Sequence, residues 1–170
     1  MSLVFLGLAL GVPAAQAATH LGVPASDHVM LVMGDPEGSP CSLPARHLRR
    51  LFPDGTLDDK PFRAPRGKVF IATDVQWEAF GPDLQVGSVL RLRMGLQANN
   101  LRVPVFESSG IEVRTEAPMG RYGTAESLTA GFVIAPSAIL CAELVQATFD
   151  EVSNPSLGLI LVQGYLAESR

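Results

Sequence analysis

The segment from Lys68 to Phe80, KVFIATDVQWEAF, places Val69, Ile71, Thr73, Val75, Trp77 and Ala79 on alternate positions, while Lys68, Asp74, Gln76 and Glu78 take the other parity. Successive side chains of a strand point to opposite faces, so this is the pattern of a β-strand with one dry side. A helix would scatter Asp74, Gln76 and Glu78 around its circumference. Trp77 shares the apolar parity of Val75 and is read as a core residue.

Toward the N-terminus, the loop from Thr56 to Arg66 carries Pro61 and Pro65 and has no period. Before it, SLPARHLRRLF from Ser42 could set Leu43, His47, Leu48, Leu51 and Phe52 on one side of a short helix, ended by Pro53, Asp54 and Gly55. His28 to Met33 (HVMLVM) is a short apolar run closed by Gly34, Asp35, Pro36 and Gly38, and reads as a first, edge strand. Toward the C-terminus, Leu90, Leu92, Met94 and Leu96 alternate with Arg91, Arg93 and Gly95 in a second amphipathic strand. Leu101 to Phe106 is extended but holds Pro104, which belongs at an edge or a bulge. Ile111 and Val113 flank Glu112 in a brief strand, followed by a polar connection from Met119 to Gly123. Leu128 to Leu144 is two apolar runs about an Ala135-Pro136-Ser137-Ala138 turn, the pattern of a central hairpin covered on both sides. Leu157 to Leu166 closes the chain as a strand, with Gly158 and Gly164 as bulge positions and with the two ends of the fold in reach of each other.

Short strands with turns every ten or so residues, and no strand and helix alternation, predict an all-β antiparallel sandwich of jelly-roll type with one short helix. The 170 residues suit one domain, with 18–66 as an N-terminal strand, helix and loop joined to a main sandwich over 67–170. The formal net charge of -4 argues against nucleic acid or anionic lipid as the partner. The apolar run from Leu3 to Val12, followed by Ala15 and Ala17 at the -3 and -1 positions, predicts a signal peptide over 1–17, cleavage before Ala18 and a periplasmic or secreted product. That run is about half of the roughly 20 residues needed to cross a bilayer, so no membrane span is expected after processing. Cys41 and Cys141 are the only two cysteines, and an oxidising compartment makes a disulfide between them the default.

From Pro65 to Leu166 the layout also resembles a group of uncharacterised exported bacterial β-sandwich domains. Their shared features are a PxGKVFxxTDVxW-like first strand and a closing GYL. Here those pieces are Pro65, Gly67 to Phe70, Thr73 to Val75, Trp77, and Gly164 to Leu166. The resemblance implies a fold and an export route and carries no activity, so it transfers no functional residue.

No residue of the sequence is assigned a catalytic, cofactor-binding or metal role. His20, His28 and His47 lack the H-x-H or H-E-x-x-H spacing that brings two imidazoles to one metal. Neither a GxSxG elbow nor a phosphate-binding glycine loop is present. Asp74 and Glu78 are the one orderly carboxylate pair, read first as a solvated strand face and second as a glycosidase pair. Asp54, Asp58 and Asp59 could offer oxygen ligands to calcium without the spacing of a calcium loop. Arg46, Arg49, Arg50, Lys60, Arg63, Arg66 and Lys68 form a local basic excess, and Trp77 with Tyr122 or Tyr165 could form a sugar-stacking platform if it were exposed. The expected function is an exported, soluble, non-catalytic module with a binding or structural role. The alternatives are a carbohydrate- or surface-polymer-binding module and an enzyme assembled from loops.

Overall fold

The computed structural model describes residues 23–34, 39–41, 44–81, 86–98, 101–114, 120–147 and 156–169. A 3-10 turn, Ala25–Asp27, leads into β1 (His28–Met33), followed by β2 (Arg46–Leu51), β3 (Lys68–Gly81), β4 (Val89–Ala98), β5 (Leu101–Glu107), β6 (Ile111–Glu112), β7 (Gly120–Ile134), β8 (Ile139–Ala147) and β9 (Ser156–Glu168). The strands pair antiparallel along one path, β5-β4-β8-β2-β1-β9-β3-β7, with β6 added against β4. The all-β antiparallel class is as the sequence predicts. The sheet curls until its two ends nearly close a barrel. Phe106 of β5 stacks on Phe132 of β7 with ring centroids 5.9 Å apart, and the Ser109 amide donates to the Glu126 carboxylate of β7 at 2.7 Å. The predicted signal segment, with Ala15, Ala17 and Ala18, lies outside the described residues, as does His20.

Inside the curl, Trp77 and Phe70 of β3, Leu31, Leu48, Leu90, Leu92, Met94, Ile134, Leu140 and Ile160 are fully buried. Trp77 thus takes the core place that its parity demands. The same parity fails in the first half of β3, where Phe70 and Ala72 are buried while Val69 and Ile71 are only partly covered. The cause is a β-bulge. Ala72 pairs with Gly164 and Asp74 with Gln163, so Thr73 is an extra residue and the inward and outward sides exchange there. A second irregularity lies opposite Glu78 and Ala79, where Gly158 is the extra residue on β9, in agreement with its sequence reading. Gly164 serves a different need. A Cβ there would sit 2.0 Å from the Ile71 carbonyl oxygen and against the Phe70 ring, so its absence lets β3 and β9 approach.

Four local expectations are corrected. The helix anticipated after Ser42 is instead strand β2, between β1 on one side and β8 on the other. Beyond the short pairing with β8, the following loop donates Asp58 N to Arg50 O and Phe62 N to Leu48 O, so the β2 carbonyls are satisfied without a helix. Such ladders outweigh a local helical pattern, whose propensity is worth only tenths of a kcal/mol per residue. Strand β1 is interior, paired with β2 and β9, because both of its edges find complementary ladders. The runs about Ala135-Pro136-Ser137-Ala138 do turn, with Ala138 N donating to Ala135 O, yet they are not a hairpin. Their strands part: β7 pairs with β3, and β8 with β4 and β2. Finally, Gly120 to Gly123, read as a connection, belongs to β7.

Other readings agree with the structure. The two ends of the fold meet in the pairing of β1 with β9. Pro104 lies on β5, at the end of the strand order and beside a register shift against β4. Strand β8 is covered on both faces: Leu140 and Ala142 enter the main core, whereas Ile139 and Cys141 form a small separate cluster with Cys41 and Ala45. The Cys41–Cys141 disulfide, with Cα atoms 5.8 Å apart, fastens the segment before β2 onto that outer side.

Candidate functional site

The outer face of β9, β3 and β7 is built by register. Beyond the Thr73 bulge, β3 sends Asp74, Gln76, Glu78 and Phe80 outward, because Val75, Trp77 and Ala79 fill the core. Opposite them, β7 presents Ser127, Ala125, Gly123 and Arg121, and β9 presents Gln163, Leu161 and Leu159. The small side chains of Ala125 and Gly123 leave a trough along the boundary of β3 and β7. Two contiguous hollows of about 260 Å³ and about 200 Å³ occupy it and share Gln76 and Ala125. Gly123 is obligatory there: a Cβ would lie 2.2 Å from the Trp77 carbonyl oxygen, and the Glu78 side chain already lies over the position.

Asp74 is held in place on this face. Asp74 Oδ1 accepts from Ser127 Oγ at 2.6 Å, and Asp74 Oδ2 accepts from Thr73 Oγ1 at 2.8 Å. Among the described residues no cation comes within ion-pair distance of Asp74 or Glu78. Phe80 is 45% exposed, and its ring lies across Gly158, where a Cβ would come within 2.5 Å of the ring edge. Leu159, also exposed, extends this apolar shoulder.

The sequence candidates divide. Asp74 and Glu78 do share a face, but four residues of strand separate them by about 13 Å, beyond the roughly 5 to 9.5 Å that glycoside hydrolysis uses. The sugar platform built on Trp77, Tyr122 and Tyr165 does not form. Trp77 is buried, Tyr122 is on the inner parity of β7, and Tyr165 pairs opposite His28 on the far stretch of β9. Among the described residues the exposed ring is Phe80, and its even parity with Asp74, Gln76 and Glu78 was the available signal. Arg121, Ser127 and Gln163 had no local signal, since only strand register brings them beside β3.

Elsewhere several of the candidate groups have partners within the chain. Asp54 accepts from the hydroxyl and then the amide of Thr56, which holds its carboxyl below the usual range, and Asp58 caps the Lys60 amide, so these carboxylates shape turns. Arg50 lies 5.1 Å from the centroid of the Phe52 ring, Arg63 bonds the Ser137 carbonyl, and Lys68 pairs with Asp27 at 2.8 Å. Three of the seven basic residues are thus held in separate local contacts. His47 is buried and its Nδ1 meets Ser39 Oγ at 3.2 Å. Among the described residues no group of three His, Cys, Asp or Glu side chains could hold a metal, and no helix is long and apolar enough to cross a membrane. No protein-family model and no curated protein matches this sequence.

Proposed function

We propose that this chain is an exported β-module, periplasmic or secreted, that binds a ligand on the outer face of β3 and β7 without transforming it. One observation carries the reading. The open polar trough stands on paired strands whose inner faces form the core, so its backbone course is fixed, and Asp74 is held by Ser127 and Thr73 before a ligand arrives. The Cys41–Cys141 bond supports export, as do the Leu3 to Val12 run and Ala15 with Ala17. In this reading the curled sheet is a sandwich-like or jelly-roll-like scaffold, and loops are secondary to the sheet face.

The test has two parts. Intact-mass measurement of the exported protein should find a chain beginning at Ala18 with its disulfide intact; retention of Met1 in a membrane-bound product would overturn the export reading. The purified protein should also sediment with isolated cell-envelope or extracellular polymer and release no soluble fragments from it. Appearance of new reducing ends would replace the binding module with an enzyme.

A further inference from the structure

We infer that the trough between β3 and β7 is a binding face for a neutral, hydroxyl-rich polymer, an extended glycan chain lying along β3 from Asp74 to Phe80. This rests on the reading of the protein as a binding module and specifies its ligand. The chemistry is graded along the strand. At one end Asp74, Ser127 and Gln163 supply carboxylate, hydroxyl and amide groups, and in the middle Gln76 and Glu78 flank the small Ala125 and Gly123. At the other end the exposed Phe80 ring and Leu159 form an apolar shoulder beside Arg121. A pyranose ring has the same division, with apolar C–H faces and a rim of hydroxyls. Its faces suit an aromatic ring laid against the sheet, and its hydroxyl pairs suit planar carboxylate, amide and guanidinium groups.

Charge argues against the other polymers. Two carboxylates in the trough repel an anionic chain. A cationic chain would meet Glu78 as its one carboxylate with no hydroxyl partner among the described residues, because Asp74 already receives a hydroxyl hydrogen on each oxygen, and Arg121 at the apolar end opposes it. Length also fits. Six steps of strand from Asp74 to Phe80 span about 20 Å; the two hollows follow β3 from Asp74 to Glu78 and the exposed Phe80 ring lies just beyond them, a course that suits several units of a chain better than one small molecule.

The experiment is calorimetric titration of the full disulfide-linked protein with cellohexaose, maltohexaose, xylohexaose and chitohexaose, alongside hexalysine and hexagalacturonate. At least one neutral hexasaccharide should bind. Phe80→Ala, which removes the platform, and Ala125→Trp, which fills the trough from an exposed position, should each weaken it by about tenfold or more, with melting temperatures within about 3 °C of the parent. Gln76→Ala serves as a third variant should either of these unfold. Three results would overturn the inference: no neutral probe binds, a charged probe binds more tightly than all of them, or neutral binding survives the variants. Survival would leave the binding-module reading intact and move its site. Cleavage of a bound neutral probe that is lost with Phe80→Ala would instead leave this face in place and remove the non-catalytic reading.

Discussion

On the outer face of β4, β5 and β8 the charges neutralise one another. Glu107 takes Arg91 at 3.0 Å and Arg93 at 3.2 Å, and Arg102 reaches over Gly95 to Glu143 at 2.9 Å. Gly95 makes that reach possible, since a Cβ there would come within 3.0 Å of the Arg102 side chain. On the outer face of β3, β7 and β9 the same device has the opposite result. Gly123 and Ala125 clear a channel in which Asp74 and Glu78 meet no cation among the described residues, and an aromatic ring lies exposed at its end. Small residues in a strand therefore do not predict what fills the space above them. Cross-strand register decides it, by bringing Glu107 opposite Arg93 on one face and glycine opposite Glu78 on the other. The first face is a solvated surface that holds itself together, while on the second Glu78 stands without an ion-pair partner among the described residues and Asp74 is held by two hydroxyls.

The largest effect expected separates the two sides of β3. Trp77→Ala should cost about 3 to 5 kcal/mol by chemical denaturation, because the ring is wholly buried, whereas Gln76→Ala beside it should stay within about 0.5 kcal/mol. Comparable losses from both would mean that the trough is needed for folding and is not free for a ligand.

Next in size is the disulfide, which covers the third part of the outer surface over β8. Reduction should cost about 2 to 4 kcal/mol and leave the β-sheet circular dichroism in place at room temperature, since the main core lies on the other side of the sheet. A thiol count on the unreduced, denatured protein should find none free. Two free thiols would contradict the bond, and loss of the sheet signal on reduction would show that the two clusters fold as one.

A smaller contrast compares the two polar faces directly. Arg102→Met should cost about 1 to 2 kcal/mol, because it strands a half-buried Glu143, while Asp74→Asn, which can keep both hydroxyl contacts, should cost less than about 0.5 kcal/mol. Equal costs would erase the distinction between a self-paired and an open face.

The smallest effect is a titration. Hydrogen bonds from Arg91 and then Arg93 hold the Glu107 carboxyl below the usual glutamate range. A carboxyl depressed in the folded state adds stability at pH above its unfolded value and loses it as the pH falls through the folded one. Carboxyl NMR should place the Glu107 midpoint below that of an isolated glutamate, and Arg91→Met should raise it. A midpoint unmoved by that substitution would show the pair to be absent in solution.

Much of the strand content was legible locally. Val75, Trp77 and Ala79 of β3, and Leu90, Leu92 and Met94 of β4, are all buried, as their alternation requires. Pro104 marked the edge, because a residue without an amide hydrogen is tolerated there. Two cysteines, read with the expectation of export, were enough to anticipate one bond. The trough itself was half visible: Asp74, Gln76 and Glu78 were assigned to the wet side of β3, but Phe80 beside them and the residues across from them were not.

By itself, then, the sequence determined that the chain would form antiparallel strands, which side of β4 and of the second half of β3 would be dry, and that Cys41 would join Cys141. These depend on spacing between near neighbours and on a count. The tertiary structure decided that β2 is a strand, that β1 is interior, that β7 and β8 part after their turn, and that Ala125 and Gly123 lie across from Gln76 and Glu78. Each of those depends on which strand pairs with which, a choice made by ladders and core contacts between residues far apart in sequence. The bulge at Thr73 shows why: one extra residue reverses the sides of a strand, and only the partner strand reveals it.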